Sequence, residues 1–145
     1  MSTRDTLFIL KKCYNYFTIW ILTITILYYF DIINSFYLEL LLLHVFISLI
    51  SLYIVYIHPR KIDINLGKFS FKFEGISLIF FDIVLHHLPL FLLIQKGRGN
   101  KKKNSWLLCL PLIYISIYNP QKIYGVNNLI PTILYSMLLI FYLLV

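Results

Sequence analysis

Apolar residues run in five long blocks, at 13–30, 36–57, 75–94, 105–118 and 129–145, divided by short polar stretches. A helix needs about 20 apolar residues to cross the hydrocarbon core of a bilayer. The pattern therefore predicts an all-α transmembrane bundle of four to five hydrophobic helices in one membrane domain spanning 1–145. The first block is entered through Lys11 and Lys12. No small-residue cleavage site follows it at 31–35, so it reads as an uncleaved anchor. Ser2 stands where a myristoylated chain would carry glycine. Pro59 stops the second helix. The fourth block is the weakest, reaching about 21 Å at 1.5 Å per residue against a core of roughly 30 Å. Pro131 falls in the first turn of the fifth, where proline is tolerated.

Between the second and third blocks the period changes. Residues 61–74 alternate polar and apolar without a break, which is the period of a strand. A two-residue turn at Gly67-Lys68 suits type II′, with glycine first because that position needs positive φ. The resulting amphipathic β-hairpin pairs Leu66 with Phe69, Ile64 with Phe71 and Ile62 with Phe73 on one face. On the other it pairs Asn65 with Ser70, Asp63 with Lys72 and Lys61 with Glu74. Each such pair adds roughly 0.2–1 kcal/mol. A lone hairpin is marginal in water, so its apolar face must rest on headgroups or on a partner. An exposed edge also offers a docking platform for another strand, with Phe69, Phe71 and Phe73 as the contact residues.

The polar residues inside the blocks carry the candidate chemistry. Asp82 falls near mid-depth of the third block, with His86 at i+4 on the same face and His87 next. A charged Asp at that depth costs about 2.5–3.5 kcal/mol. It must be paired, protonated or beside a wet cavity. His44, Ser48 and Ser51 share one face of the second helix, and an antiparallel neighbour brings His44 level with His86. Three uses follow. The first is interhelical glue. The second is a metal site of Asp82, His86 and His44, with Glu39 further off. Membrane di-iron enzymes use several His-rich boxes, however, and this chain has four histidines in all, with His58 at the membrane edge. The third is a proton or substrate path through the Asp/His seam, helped by Pro89, which frees a carbonyl one turn earlier. In an enzymatic or transporter-like reading, Asp82, His86, His87 and His44 are the candidate catalytic residues. Glu39 complements its helix dipole. Cys13 and Cys109 are small apolar fillers. No phosphate loop, nucleophile elbow or catalytic carboxylate pair is present, and no cofactor is implied.

Composition excludes other classes. Hydrophobic residues make up 60% and charged residues 13%, unlike a disordered chain or an ordinary soluble domain. Two cysteines exclude a disulfide scaffold. The net charge of +7 sits in loops, where it sets topology and meets anionic headgroups; nucleic acid is not expected. With five spans, one side holds Arg4, Lys11, Lys12, Arg60, Lys61, Lys68, Lys72 and Lys122. The other holds Lys96, Arg98, Lys101, Lys102 and Lys103, all in the basic loop 95–104. A re-entrant third segment would leave only Lys122 on the far side, but a 20-residue apolar run is long for that. Tyr and Trp cluster at the block ends as aromatic belts do.

The bias toward Ile, Leu, Phe, Tyr, Asn and Lys, with no alanine, resembles proteins of very AT-rich genomes. Small multi-pass membrane proteins of large DNA viruses look like this, as do some protist and insect-symbiont proteins. The resemblance is compositional and implies an internal-membrane or virion component; it transfers no functional residue. The sequence thus predicts a non-enzymatic, multi-pass membrane protein with a structural or assembly role. Its expected partners are the lipid bilayer, a second copy or another membrane protein, docked through the hairpin and the basic loop. The alternative is a membrane-embedded enzyme or transporter-like protein built on the polar seam.

Overall fold

The computed structural model describes residues 3–33, 35–57, 61–65, 69–97, 105–125 and 127–144. The turn Gly67-Lys68, His58, Pro59 and the basic residues Arg98, Lys101, Lys102 and Lys103 lie outside the described residues. The chain is mostly helical with one two-stranded antiparallel hairpin. In chain order the elements are α1 (Thr3–Cys13), α2 (Phe17–Tyr29), α3 (Tyr37–Tyr56), β1 (Ile62–Asn65), β2 (Ser70–Phe73), α4 (Ile76–Lys96), α5 (Ser105–Ile117), α6 (Pro120–Tyr124) and α7 (Leu129–Leu144).

Among the described residues two helices, α3 and α4, are long and apolar enough to cross a membrane. α5 and α7 follow their predicted blocks closely, whereas α2 is shorter than its block. The first block does not form one helix: the chain turns at Tyr14–Tyr16, closed by Tyr16 N–H donating to Cys13 O. That break leaves α2 with 13 residues, about 20 Å of rise. It also frees α1, which the block pattern did not predict. Its exposed Leu7, Phe8 and Leu10 sit with Lys11 and Lys12 in the last turn.

α3 is apolar all round because it is the central element. It touches α2, α4, α5 and α7, and 61% of its most apolar stretch is buried, against 17% for α4. Ile21 and Tyr28 of α2, Leu40, Leu43 and Phe46 of α3, Leu93 of α4 and Leu107 of α5 form the core. Tyrosine hydroxyls tie the helices together. Tyr135 of α7 donates to Leu108 O at 2.6 Å, and Tyr124 OH accepts from Phe17 N–H at the start of α2 at 2.7 Å. Phe36 opens α3 at φ +77°, an uncommon conformation for a bulky side chain, with its ring edge-on to Trp106.

The hairpin register is the predicted one wherever it is described. Ile62 faces Phe73, Asp63 faces Lys72, Ile64 faces Phe71 and Asn65 faces Ser70. Lys61 and Glu74 close the outer face at 2.6 Å. Gly75, at φ +54°, then turns the chain into α4, a conformation open to glycine at little cost.

Candidate functional site

The polar centre is built by a local irregularity in α4. Pro89 has no N–H and its ring crowds the carbonyl of Leu85, four residues back. The preceding turn, Ile83–His87, is wound as a π-helix, with Leu88 N–H reaching Ile83 O. The wider turn brings both His86 and His87 over Asp82. His86 Nδ1 lies 2.8 Å from Asp82 Oδ1, and His87 Nε2 lies 3.1 Å from Asp82 Oδ2. Each carboxylate oxygen therefore accepts from one imidazole. Asp82 itself is 1% exposed. Its carboxylate is held beside the Ser51 hydroxyl as well, and Ser48 Oγ donates to His86 O at 3.2 Å.

The far nitrogen of His86 completes a chain across two helices. His86 Nε2 lies 3.0 Å from Thr18 Oγ1 in the first turn of α2. With Nδ1–H given to Asp82, Nε2 is the acceptor and the threonine hydroxyl is the donor. The predicted partnership of Asp82 and His86 is present, and His87 joins it. His44 does not. Its Nε2 lies 2.6 Å from Thr25 Oγ1, and its Nδ1 is buried with no hydrogen-bond partner. Among the described residues no three His, Cys, Asp or Glu side chains gather to hold a metal ion. Asp82, His86 and His44 are thus not a ligand set: the extra α3–α2 contact takes His44 away. Glu39, expected near an interface, is 1% exposed and accepts from Tyr142 OH at 2.6 Å.

Beside this centre lies a cleft of about 650 Å³. Its walls are apolar: Ile50 and Ile54 from α3, Leu78, Phe81 and Leu85 from α4, Tyr114 from α5. Thr18, Asp82 and His86 form its polar corner. The apolar face of the hairpin, Ile62, Ile64, Phe71 and Phe73, closes one side, with Phe73 stacked on Phe81 at 4.2 Å between ring centres. The surface that the hairpin needed is supplied within the chain. Phe69 and Phe71 nevertheless stay about equally exposed, at 48% and 47%. Lys96, expected at the headgroups, turns inward. Its ammonium reaches Tyr28 O at 3.0 Å, Tyr29 O, and Asp31 Oδ1 at 2.8 Å, and so caps the C-terminal carbonyls of α2.

Sequence reasoning missed Thr18, Thr25 and Tyr142. All three partners are distant in sequence, and nothing local marks a threonine in an apolar run as paired. The cleft is a product of packing and has no sequence signal at all. No protein-family model matches the chain, and no curated protein or solved structure is detectably similar to it.

Proposed function

We propose that this is an integral, multi-pass membrane protein that houses a long-chain amphiphile in its cleft, with the polar end of the ligand at the Thr18–His86–Asp82 corner. The observation that carries this reading is the cleft itself: about 650 Å³ with mostly apolar walls and a corner where the buried Thr18 and Asp82 meet His86. That is the usual make-up of a site for a mostly apolar molecule. The membrane part rests on α4. A core helix of a soluble protein is mostly buried, whereas α4 leaves Phe80, Ile83, Leu88, Phe91 and Ile94 uncovered. Uncovered apolar area of that extent calls for lipid. α1, short and basic at its end, suits the interface plane.

The test has two stages. The protein should float with liposomes and resist alkaline carbonate extraction. A photoreactive long-chain fatty alcohol should then crosslink to peptides from α3, α4 and the hairpin. Ile50→Trp, which fills the cleft, should abolish those crosslinks. Crosslinks confined to the outer faces of α4 and α7, unchanged by Ile50→Trp, would refute the reading.

A structural or assembly role keeps one observation of its own: Phe69 and Phe71 remain exposed on the hairpin. Phe69→Lys should abolish capture of a membrane partner while leaving insertion intact. Unchanged capture would remove the hairpin from that role.

A further inference from the structure

We infer that Thr18, His86 and Asp82 form a hydroxyl–imidazole–carboxylate relay that hydrolyses the ester bond of a long-chain lipid held in the cleft. The inference rests on the cleft being a lipid site. Its particular support comes from comparing Thr18 with the other hydroxyls of the fold.

A threonine or serine inside a helix ordinarily donates to the carbonyl four residues back. Thr23 does so to Ile19 O at 2.8 Å, Thr25 to Ile21 O at 2.8 Å, Thr132 to Asn128 O at 2.7 Å and Ser136 to Thr132 O at 2.9 Å. Thr18 is different. The carbonyl four residues before it, Tyr14 O, accepts from Trp20 Nε1 at 2.8 Å. The Thr18 hydroxyl is directed at His86 Nε2 instead.

The second threonine–histidine pair shows why this matters. Thr25 also touches an imidazole, His44, but its proton is already committed to Ile21 O. His44 must therefore be the donor there and cannot act as a base. Its other nitrogen has no carboxylate behind it. In the Thr18 pair the order is reversed. The carboxylate orients Nδ1–H, and Nε2 is left to take the hydroxyl proton, which is the arrangement that activates a hydroxyl nucleophile. His87, on the second oxygen of Asp82, fixes the carboxylate. Thr18 also sits in the first turn of α2, where the helix dipole favours developing negative charge on oxygen. All three relay groups face the cleft.

The reaction balances with water as co-reactant. Thr18 Oγ1 attacks the ester carbonyl carbon, its proton passes to His86 Nε2, and a new O–C bond forms. His86 returns that proton to the leaving alcohol as the ester C–O bond breaks. Water then attacks the acyl-threonine and gives its proton to His86. The carbonyl carbon bonds to the water oxygen, the bond to Thr18 breaks, and the proton goes back to Thr18. One ester and one water give one acid and one alcohol. Thr18 and His86 are catalytic residues, and Asp82 is a positioning residue.

The experiment uses the full chain in nanodiscs. A long-chain fluorophosphonate should add once, at Thr18, by intact mass and peptide mapping. Thr18→Ser should keep the adduct, and Thr18→Val should lose it. Hydrolysis of a fluorogenic long-chain ester should fall about 10²–10⁴-fold in His86→Gln. In Asp82→Asn kcat should fall with KM unchanged, a split that simple loosening of the bundle would not give. The wild type is also probed with the photoreactive fatty alcohol described above. If the cleft is crosslinked but Thr18 is never labelled and no ester is cleaved, the relay is refuted and the cleft reading stands. If neither crosslink nor label appears, both fail. Labelling that persists in Thr18→Val overturns the assignment even where His86→Gln does not fold.

Discussion

Removing His86 should cost far more than removing the charge it serves. Asp82 is 1% exposed, and His86 supplies its shorter contact, 2.8 Å against 3.1 Å for His87. His86→Leu leaves one carboxylate oxygen facing leucine. Breaking a buried pair from one side costs about 3–5 kcal/mol. Asp82→Leu behaves otherwise. It strands two imidazole N–H groups, at about 1–3 kcal/mol each. Those rings keep 15% and 30% side-chain exposure, so the lower end applies. Against that stands, in the proposed membrane setting, relief of about 2.5–3.5 kcal/mol for an acid at mid-depth. The net change is near zero. The double variant Asp82→Leu/His86→Leu should then be more stable than His86→Leu alone by about 2 kcal/mol or more, a coupling typical of groups in direct contact. Reversible unfolding in mixed micelles, titrated with SDS, measures all three. Equal and additive losses from the two single changes would show that the carboxylate and imidazole do not depend on each other, and the polar centre would have to be abandoned as a unit.

Three further outcomes follow from other contacts. Tyr142→Phe removes the 2.6 Å hydroxyl contact to buried Glu39 and should cost about 1.5–3 kcal/mol in the same titration; no change would mean that this contact does not help to hold α7. Lys96→Met removes the cation from the end of α2 and should cost about 0.3–2 kcal/mol, with faster amide exchange confined to residues 26–30; uniform exchange along α2 would contradict a local cap. The hairpin should lose protection at both pH extremes. Lys61 beside Glu74 lowers the carboxyl below its ordinary range, and Glu74 raises the Lys61 ammonium above its own. The Glu74 contribution is present above the ordinary carboxylate value and lost as pH falls through the lowered one. The Lys61 contribution is present below the ordinary amine value and lost as pH rises through the raised one. Pair-dependent protection of the β2 amides, taken as the difference from Lys61→Met, measures this, and a difference flat across the acid limb would refute it.

What the sequence made legible were relations between near neighbours. The hairpin register followed from period two and the turn placed at Gly67-Lys68, and a one-residue slip would have put Ile62 and Ile64 opposite lysine and serine. The pairing of Asp82 with His86 followed from i, i+4 spacing. The apolar blocks located α2, α3, α4, α5 and α7 and, for all but α2, set their ends to within two residues. Hydropathy does not record that Tyr14, Asn15 and Tyr16 turn the chain, since two of the three are aromatic. The same averaging hid α1, whose apolar residues are interleaved with Arg4, Asp5 and Lys11. Long-range pairs stayed invisible: His86 meets Thr18 across 68 positions and Tyr142 meets Glu39 across 103.

His87 lies between the two cases and shows what a proline adds. In a regular α-helix residue i+5 is turned about 140° from residue i, so Asp82 and His87 would point apart and the carboxylate would lose that donor. Pro89 prevents a regular turn there, and the π-wound segment Ile83–His87 carries the strain by admitting one extra residue. That extra residue rotates His87 onto the second oxygen of Asp82. A buried carboxylate in an apolar helix thereby gains two donors from its own helix and leaves His86 Nε2 free to reach α2. Without the π turn, His86 would still pair with Asp82, but the other oxygen would need a donor from a neighbouring helix, and the polar corner could not be assembled so largely by one element. π-helical turns gather at functional sites for this kind of reason: they change which side chains share a face without ending the helix. The chemistry assigned to Thr18 and His86 depends on that single local change of winding, made by a proline three residues beyond the imidazole it positions.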